Sequence, residues 1–167
     1  MKTKIIVIAL IIVLMVGYGV CQYAYKQNYE SYYKYYVLEN AQSGELDVKI
    51  NIELKCIKNY HLGDEISARY TCNGQSIRSG DVVDAQQYFK FVATITENDS
   101  VDDVGQSECI IYPYAALYNT TKTIDVRVDE RGGTRYPDAY AIFQVTFNVS
   151  PVVEIGYWDV VFYMFRK

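Results

Sequence analysis

The chain changes its hydrophobic period twice, and each change marks an element. From Ile5 to Val20 it reads IIVIALIIVLMVGYGV, apolar throughout and free of charge. Carried to Cys21 the run is 17 residues, roughly 25 Å as a helix, at the short end for a hydrocarbon core of about 30 Å. From Gln22 to Gln42 the pattern turns helical. Tyr25, Tyr29, Tyr32 and Tyr36 recur at steps of four, three and four, which sets them on one stripe. Ser43-Gly44 is a stop signal.

At Leu46 the period becomes 2. Leu46, Val48, Ile50, Ile52, Leu54 and Cys56 alternate with Asp47, Lys49, Asn51, Glu53 and Lys55, the mark of a half-buried strand. After a turn at 59–64, Ile66, Ala68, Tyr70 and Cys72 alternate again, and the two runs read as a hairpin. The turn signals Asn73-Gly74 and Ser79-Gly80-Asp81 leave residues 75–85 as a short edge piece and loop. Further strands are marked by Phe89 to Ile95, by Ile110 and Ile111, by Ile124 to Val128 and by Ala141 to Val149. Trp158, Val160, Phe162 and Met164 read as a closing strand.

Strands at this spacing, with no amphipathic helix between them, predict an all-β Greek-key or immunoglobulin-like sandwich of 7–8 antiparallel strands. An N-terminal transmembrane and stalk helix precedes it. Residues 1–21 are the anchor or signal segment, 22–44 the tyrosine-rich stalk and 45–167 the sandwich domain. Lys2 and Lys4 stand before the apolar run, so the positive-inside bias predicts a single-pass cell-membrane protein with a cytoplasmic N-terminus and an extracytoplasmic domain. Two rival readings fit the same residues: a secretory signal cut after Cys21, with Gly19 and Cys21 as its small residues, or a lipid-modified Cys21. All three export the domain. The stalk stripe fits two roles, self-association or packing on one side, and a solvated juxtamembrane linker on the other.

The net charge is −4, and residues 1–44 hold four lysines against two glutamates, so the remainder carries −6. An acidic exported domain argues against nucleic acid and against anionic lipid as partners, since both need a basic patch. The four cysteines fit no zinc pattern, with no CxxC and with His61 as the only histidine. Cys56 and Cys72 lie on the arms of the expected hairpin, where a disulfide and a pair of buried thiols are both open readings.

Residues 94–105, TITENDSVDDVG, crowd Glu97, Asp99, Asp102 and Asp103 into seven positions. Such a loop is either well solvated or a cation site, since Ca²⁺ takes six to eight oxygens. If the strands run up and down, the loops with Asp64 and Glu65, with Glu97 to Asp103, and with Asp129, Glu130 and Asp138 share one end of the sandwich. The candidate ligands are Glu97, Asp99, Asp102, Asp103, Asp129 and Asp138. The segment FKFVATITENDSVDDVG resembles the strand, acidic loop and glycine of C2 domains. That resemblance implies Glu97 and Asp99 as paired ligands, Asp102 or Asp103 as the last, and calcium-dependent binding. The whole plan, with GDEISARYTCNGQSI before the acidic strand, is similar to exported immunoglobulin-like domains of bacteria, which implies fold and location.

His61 lacks a nucleophile and an orienting acid near it in the sequence, and Arg131-Gly132-Gly133 lacks the context of a phosphate loop, so no enzyme is expected. Tyr112, Tyr114 and Tyr118 form an aromatic stretch suited to a contact surface. The expected function is a membrane-tethered, extracytoplasmic, non-enzymatic binding or adhesion module, without a cofactor and with a protein or envelope partner. The alternative is a Ca²⁺-dependent C2-like binding or sensing domain.

Overall fold

The computed structural model describes residues 2–98, 102–112, 119–131, 136 and 138–166, with side chains from residue 11 onward. The chain divides into two units, residues 40–152 and residues 1–39 with 153–167. In the larger unit the strands are β1 (Asp47–Tyr60), β2 (Ile66–Cys72), β3 (Gln75–Ile77), β4 (Val82–Asp84), β5 (Phe89–Glu97), β6 (Asp103–Ile111), β7 (Thr120–Asp129) and β8 (Tyr140–Pro151). They form two four-stranded antiparallel sheets, ordered β4-β1-β8-β7 and β3-β2-β5-β6. This is the two-sheet sandwich that the alternation predicts.

The pleat explains the core. β5 buries Phe89, Phe91, Ala93 and Ile95, and β8 buries Ala141, Phe143, Val145, Phe147 and Val149, every second residue in each case. Phe91 stacks on Phe147 across the sheets at 4.6 Å between ring centroids and 19° between planes. Tyr70 meets the same Phe147 edge-on at 6.2 Å. On one side the sandwich is drawn together by Gly105 of β6, where a Cβ would collide with the Arg127 carbonyl of β7. Only a residue without a side chain permits that approach.

Three expectations for this unit are corrected. β1 and β2 are not a hairpin: β1 pairs with β4 and β8, and β2 with β3 and β5. The connection through residues 61–65 crosses between sheets, which strand alternation cannot distinguish from a turn within one. The Cys56–Cys72 disulfide falls with the hairpin. Cys56 lies exposed opposite Phe143 in one sheet, Cys72 lies buried opposite Phe91 in the other, and both are free thiols. The short strand at Ile110 and Ile111 is the end of a nine-residue β6 that pairs with β5 along its length. Its first six residues, Asp103 to Glu108, are too polar to show an apolar alternation.

The smaller unit is helical. α1 (Lys2–Ser43) is continuous over 42 residues, and the chain leaves it at Gly44 with φ of 76°, as the stop signal predicts. Among the described residues no helix is long and apolar enough to cross a membrane; side chains 5–10 of the expected span lie outside that description. Tyr25 packs on Tyr29 at 5.5 Å and Tyr32 on Tyr36 at 6.2 Å, so the predicted stripe is present.

The expected closing strand is instead a helix, α2 (Tyr157–Met164). Gly156 precedes it as N-cap, and the Asp159 carboxylate accepts the Gly156 N–H at 2.8 Å. The period-2 set Trp158, Val160, Phe162 and Met164 hides a helical one. Tyr157, Val160 and Tyr163 turn inward; Tyr157 stacks on Tyr25 at 5.0 Å and Tyr163 lies 5.2 Å from Tyr32. Tyrosines of the stalk stripe thus pack against the C-terminal end of the same chain.

Phe147→Ala removes the ring shared by both sheets and is expected to cost about 3–5 kcal/mol in urea unfolding; a loss under about 1 kcal/mol would contradict this packing. Burial pushes the Cys72 thiol up to about 11 and raises that of Cys109. In native protein iodoacetamide is expected to alkylate Cys56 ahead of Cys72 and Cys109, which react fully only after unfolding, as read by peptide mass.

Candidate functional site

Strand register builds one acidic rim. β5 ends at Glu97, β6 begins at Asp103, and the two residues are paired across the hairpin. β2 starts opposite the same point, Ile66 pairing with Glu97, and the Asn98 N–H donates to the Glu65 carbonyl at 2.8 Å. The segment after β7 arrives from the other sheet. The Glu130 N–H donates to the Ala139 carbonyl at 2.9 Å, and the Arg131 N–H donates to Asp103 Oδ1 at 3.0 Å. The three loops assigned to one end of the sandwich do meet there.

Three carboxylates converge at this rim. Oxygens of Glu97, Asp103 and Glu130 all lie within 4.8 Å of one another. Glu97 is 3% exposed, Asp103 0%, and Glu130 is half-buried. The pleat puts them there: position 97 continues the buried series Phe89, Phe91, Ala93, Ile95, and position 130 continues the buried pair Val126, Val128. Asp103 shares the inward face of β6 with Cys109 and Ile111. Gly63 packs against Glu97 so closely that a Cβ there would collide with Glu97 Oε1.

Negative charges this close repel, and burial raises the penalty, which a cation among the oxygens would relieve. Oxygens that share a Ca²⁺ at about 2.3–2.6 Å lie no farther apart than about 5 Å, which the group satisfies. Glu97, Asp103 and Glu130 are therefore the residues fit to hold a divalent cation.

The other expected ligands stand elsewhere. Asp102 and Asp138 are exposed and lie outside this group. Asp129 points away from it: its Oδ1 accepts from Arg127 Nε at 2.7 Å, and that hydrogen bond, aided by the guanidinium charge, holds its carboxyl below the ordinary value. Asp99 lies outside the described residues. Glu130 was not among the expected ligands, although the parity of Val126 and Val128 marks it as inward and Asp129 as outward.

His61 stacks on Tyr136 at 4.1 Å and 6° and sits 4.7 Å from Tyr60, at φ of 61°. Beside them Arg127 and Lys58 lie over the Tyr140 ring at 4.2 and 4.8 Å, an aromatic and cationic patch on the outer face. Of the expected contact residues, Tyr112 is 62% exposed; Tyr114 and Tyr118 lie outside the described residues. Set against known proteins, the chain matches no family model and no curated protein.

Gly63→Ala drives a methyl group into the Glu97 carboxylate. It is expected to cost about 1–3 kcal/mol in denaturant unfolding, as overpacking does; a neutral substitution would show that Glu97 does not hold this position.

Proposed function

We propose that residues 40–152 are a non-enzymatic binding module whose acidic rim takes a divalent cation, Ca²⁺ by its oxygen chemistry, and that the helix before it tethers the module to a membrane. The observation that carries the cation is the approach of Glu97, Asp103 and Glu130 oxygens to within 4.8 Å of one another from three chain segments. A rim serving only to keep the module soluble would splay its carboxylates into water; here two of the three are buried. Backbone carbonyls and water complete the shell of six to eight oxygens. The likeness of residues 89–105 to C2 domains points the same way, with Glu97 and Asp103 in the matching positions and Glu130 arriving from another loop.

The tether rests on the residues of α1 before the stalk. All side chains from Ile11 to Val20 are exposed, Val13 and Met15 at 69% each. So many adjacent apolar side chains are costly in water and suit a lipid environment. Lys2 and Lys4 then favour a cytoplasmic N-terminus and an extracytoplasmic module.

The test is a thermal melt of the full chain in EGTA and then in excess Ca²⁺. A cation held only by the folded state at a concentration 100-fold over its Kd adds about 2.7 kcal/mol, a clear rise in Tm. The rise is expected to vanish in Glu97→Gln with Asp103→Asn. An unchanged Tm in the unsubstituted protein would overturn the cation reading.

A further inference from the structure

The C-terminal helix leaves its largest side chains facing away from α1. Trp158, Phe162 and Phe165 follow at i, i+4 and i+7 and are 62%, 59% and 82% exposed. That spacing makes them one stripe, with the step of four and then three that forms the seam of a coiled coil. The Trp158 and Phe162 rings stand 6.1 Å apart, and no residue of the stripe carries a charge. Val160, on the opposite face, is fully buried.

The contacts between α2 and α1 fix the direction of the stripe. At the start of α2 Tyr157 stacks on Tyr25 at 5.0 Å, and near its end Tyr163 lies 5.2 and 5.3 Å from the Tyr32 and Tyr35 rings. Both helices therefore run the same way, and α2 rises with α1 away from the end of the apolar run at Cys21. From Cys21 to Tyr32 the helix climbs roughly 16 Å. A bilayer holding the apolar run lies below most of the stripe, so lipid is not its cover.

What a stripe in this direction fits is a copy of itself. Chains tethered by the same run share the direction of α1, so a two-fold axis along α1 sets each ring against its own counterpart at the same height. An uncharged seam meets no like charge in such a pair. Aromatic rings bury about 150–250 Å² each when wholly covered, which at the exposures of these three offers on the order of 600–1,000 Å² across a pair. A stable pair free in solution needs about 1,200 Å². Confinement to one membrane offsets the shortfall, because it raises the effective concentration of one stripe at another.

We infer that Trp158, Phe162 and Phe165 are the seam of a parallel dimer, in which two copies of the chain pair through their C-terminal helices beside the stalk. The inference rests on the tether part of the proposed function. Each pair then carries two modules on one paired stalk, so contacts too weak singly act together.

The test places a cysteine on the two-fold axis. Phe162→Cys is made in the full chain with its exposed thiols removed by Cys21→Ser and Cys56→Ser. The protein is reconstituted sparsely into phosphatidylcholine vesicles, isolated by flotation and oxidised with copper phenanthroline. The expected product is a disulfide-linked species of twice the chain mass on a non-reducing gel. It forms severalfold faster than from Thr123→Cys, on the exposed outer face of β7, in the same background. Adding Trp158→Ser with Phe165→Ser is expected to abolish that advantage and to leave flotation unchanged. Floating chains that cross-link through position 162 no faster than through position 123, or a cross-link that survives loss of the other two rings, would overturn the dimer while the tether stands. Failure to float would overturn the tether and this inference together.

Discussion

The sandwich depends on the stack of Phe91 against Phe147, 4.6 Å apart between the sheets. It joins the central strand pairs and fixes which pleat of β5 and β8 faces inward. A slip of one residue in β5 would turn Lys90, Val92 and Thr94 into the core and Phe91 out of it, so the register has no near alternative. Everything at the strand ends follows from that parity. β5 carries it to Glu97, β6 sets Asp103 opposite, and β7 carries the parity of Val126 and Val128 to Glu130. The acids reach the end of the core by the rule that puts the phenylalanines in its middle.

That rule also explains what the sequence disclosed. Strands with apolar alternation were legible one by one, because a two-residue period needs no partner to be seen. Pairing was not. β1 and β2 are neighbours in the chain and strangers in the sheets, since the link through residues 61–65 crosses from one layer to the other. The disulfide reading left open for Cys56 and Cys72 rested on that same pairing, and the two cysteines stand in different sheets. The shared end of the three acidic loops was legible, because it needed only the count of crossings. Charge density drew notice to Glu97, Asp99, Asp102 and Asp103 together, whereas among the described residues parity brings Glu97, Asp103 and Glu130 to one place.

The C-terminal segment shows the opposite failure. Trp158, Val160, Phe162 and Met164 satisfy a period of 2, yet Tyr157, Val160 and Tyr163 satisfy the helical one equally well. Local chemistry decides between them, with Asp159 accepting the Gly156 N–H at the start of the turn, and tertiary contact confirms it, with Tyr157 on Tyr25 and Tyr163 beside Tyr32. Eight residues form a marginal helix in isolation. The tyrosines of α1 supply the surface that makes this one stable, which accounts for much of their unusual density between residues 25 and 36.

A carboxylate at the end of a buried apolar series is a local conflict that stability alone does not explain. Replacing buried charged groups by apolar side chains of similar volume is often neutral or stabilising by about 1–4 kcal/mol. At position 97 the neighbouring inward residues are Ile95 and Ala93, and at position 130 they are Val128 and Val126, so an apolar side chain would extend the core without disturbing the pleat. Three inward positions from three segments nevertheless carry acids, and the glycine at position 63 leaves room for one of them. Departures from the core rule concentrate where a site requires them. The proposed cation would turn the conflict into a bond between the sheets, because Glu97 and Asp103 belong to one and Glu130 follows the last residue of β7 in the other.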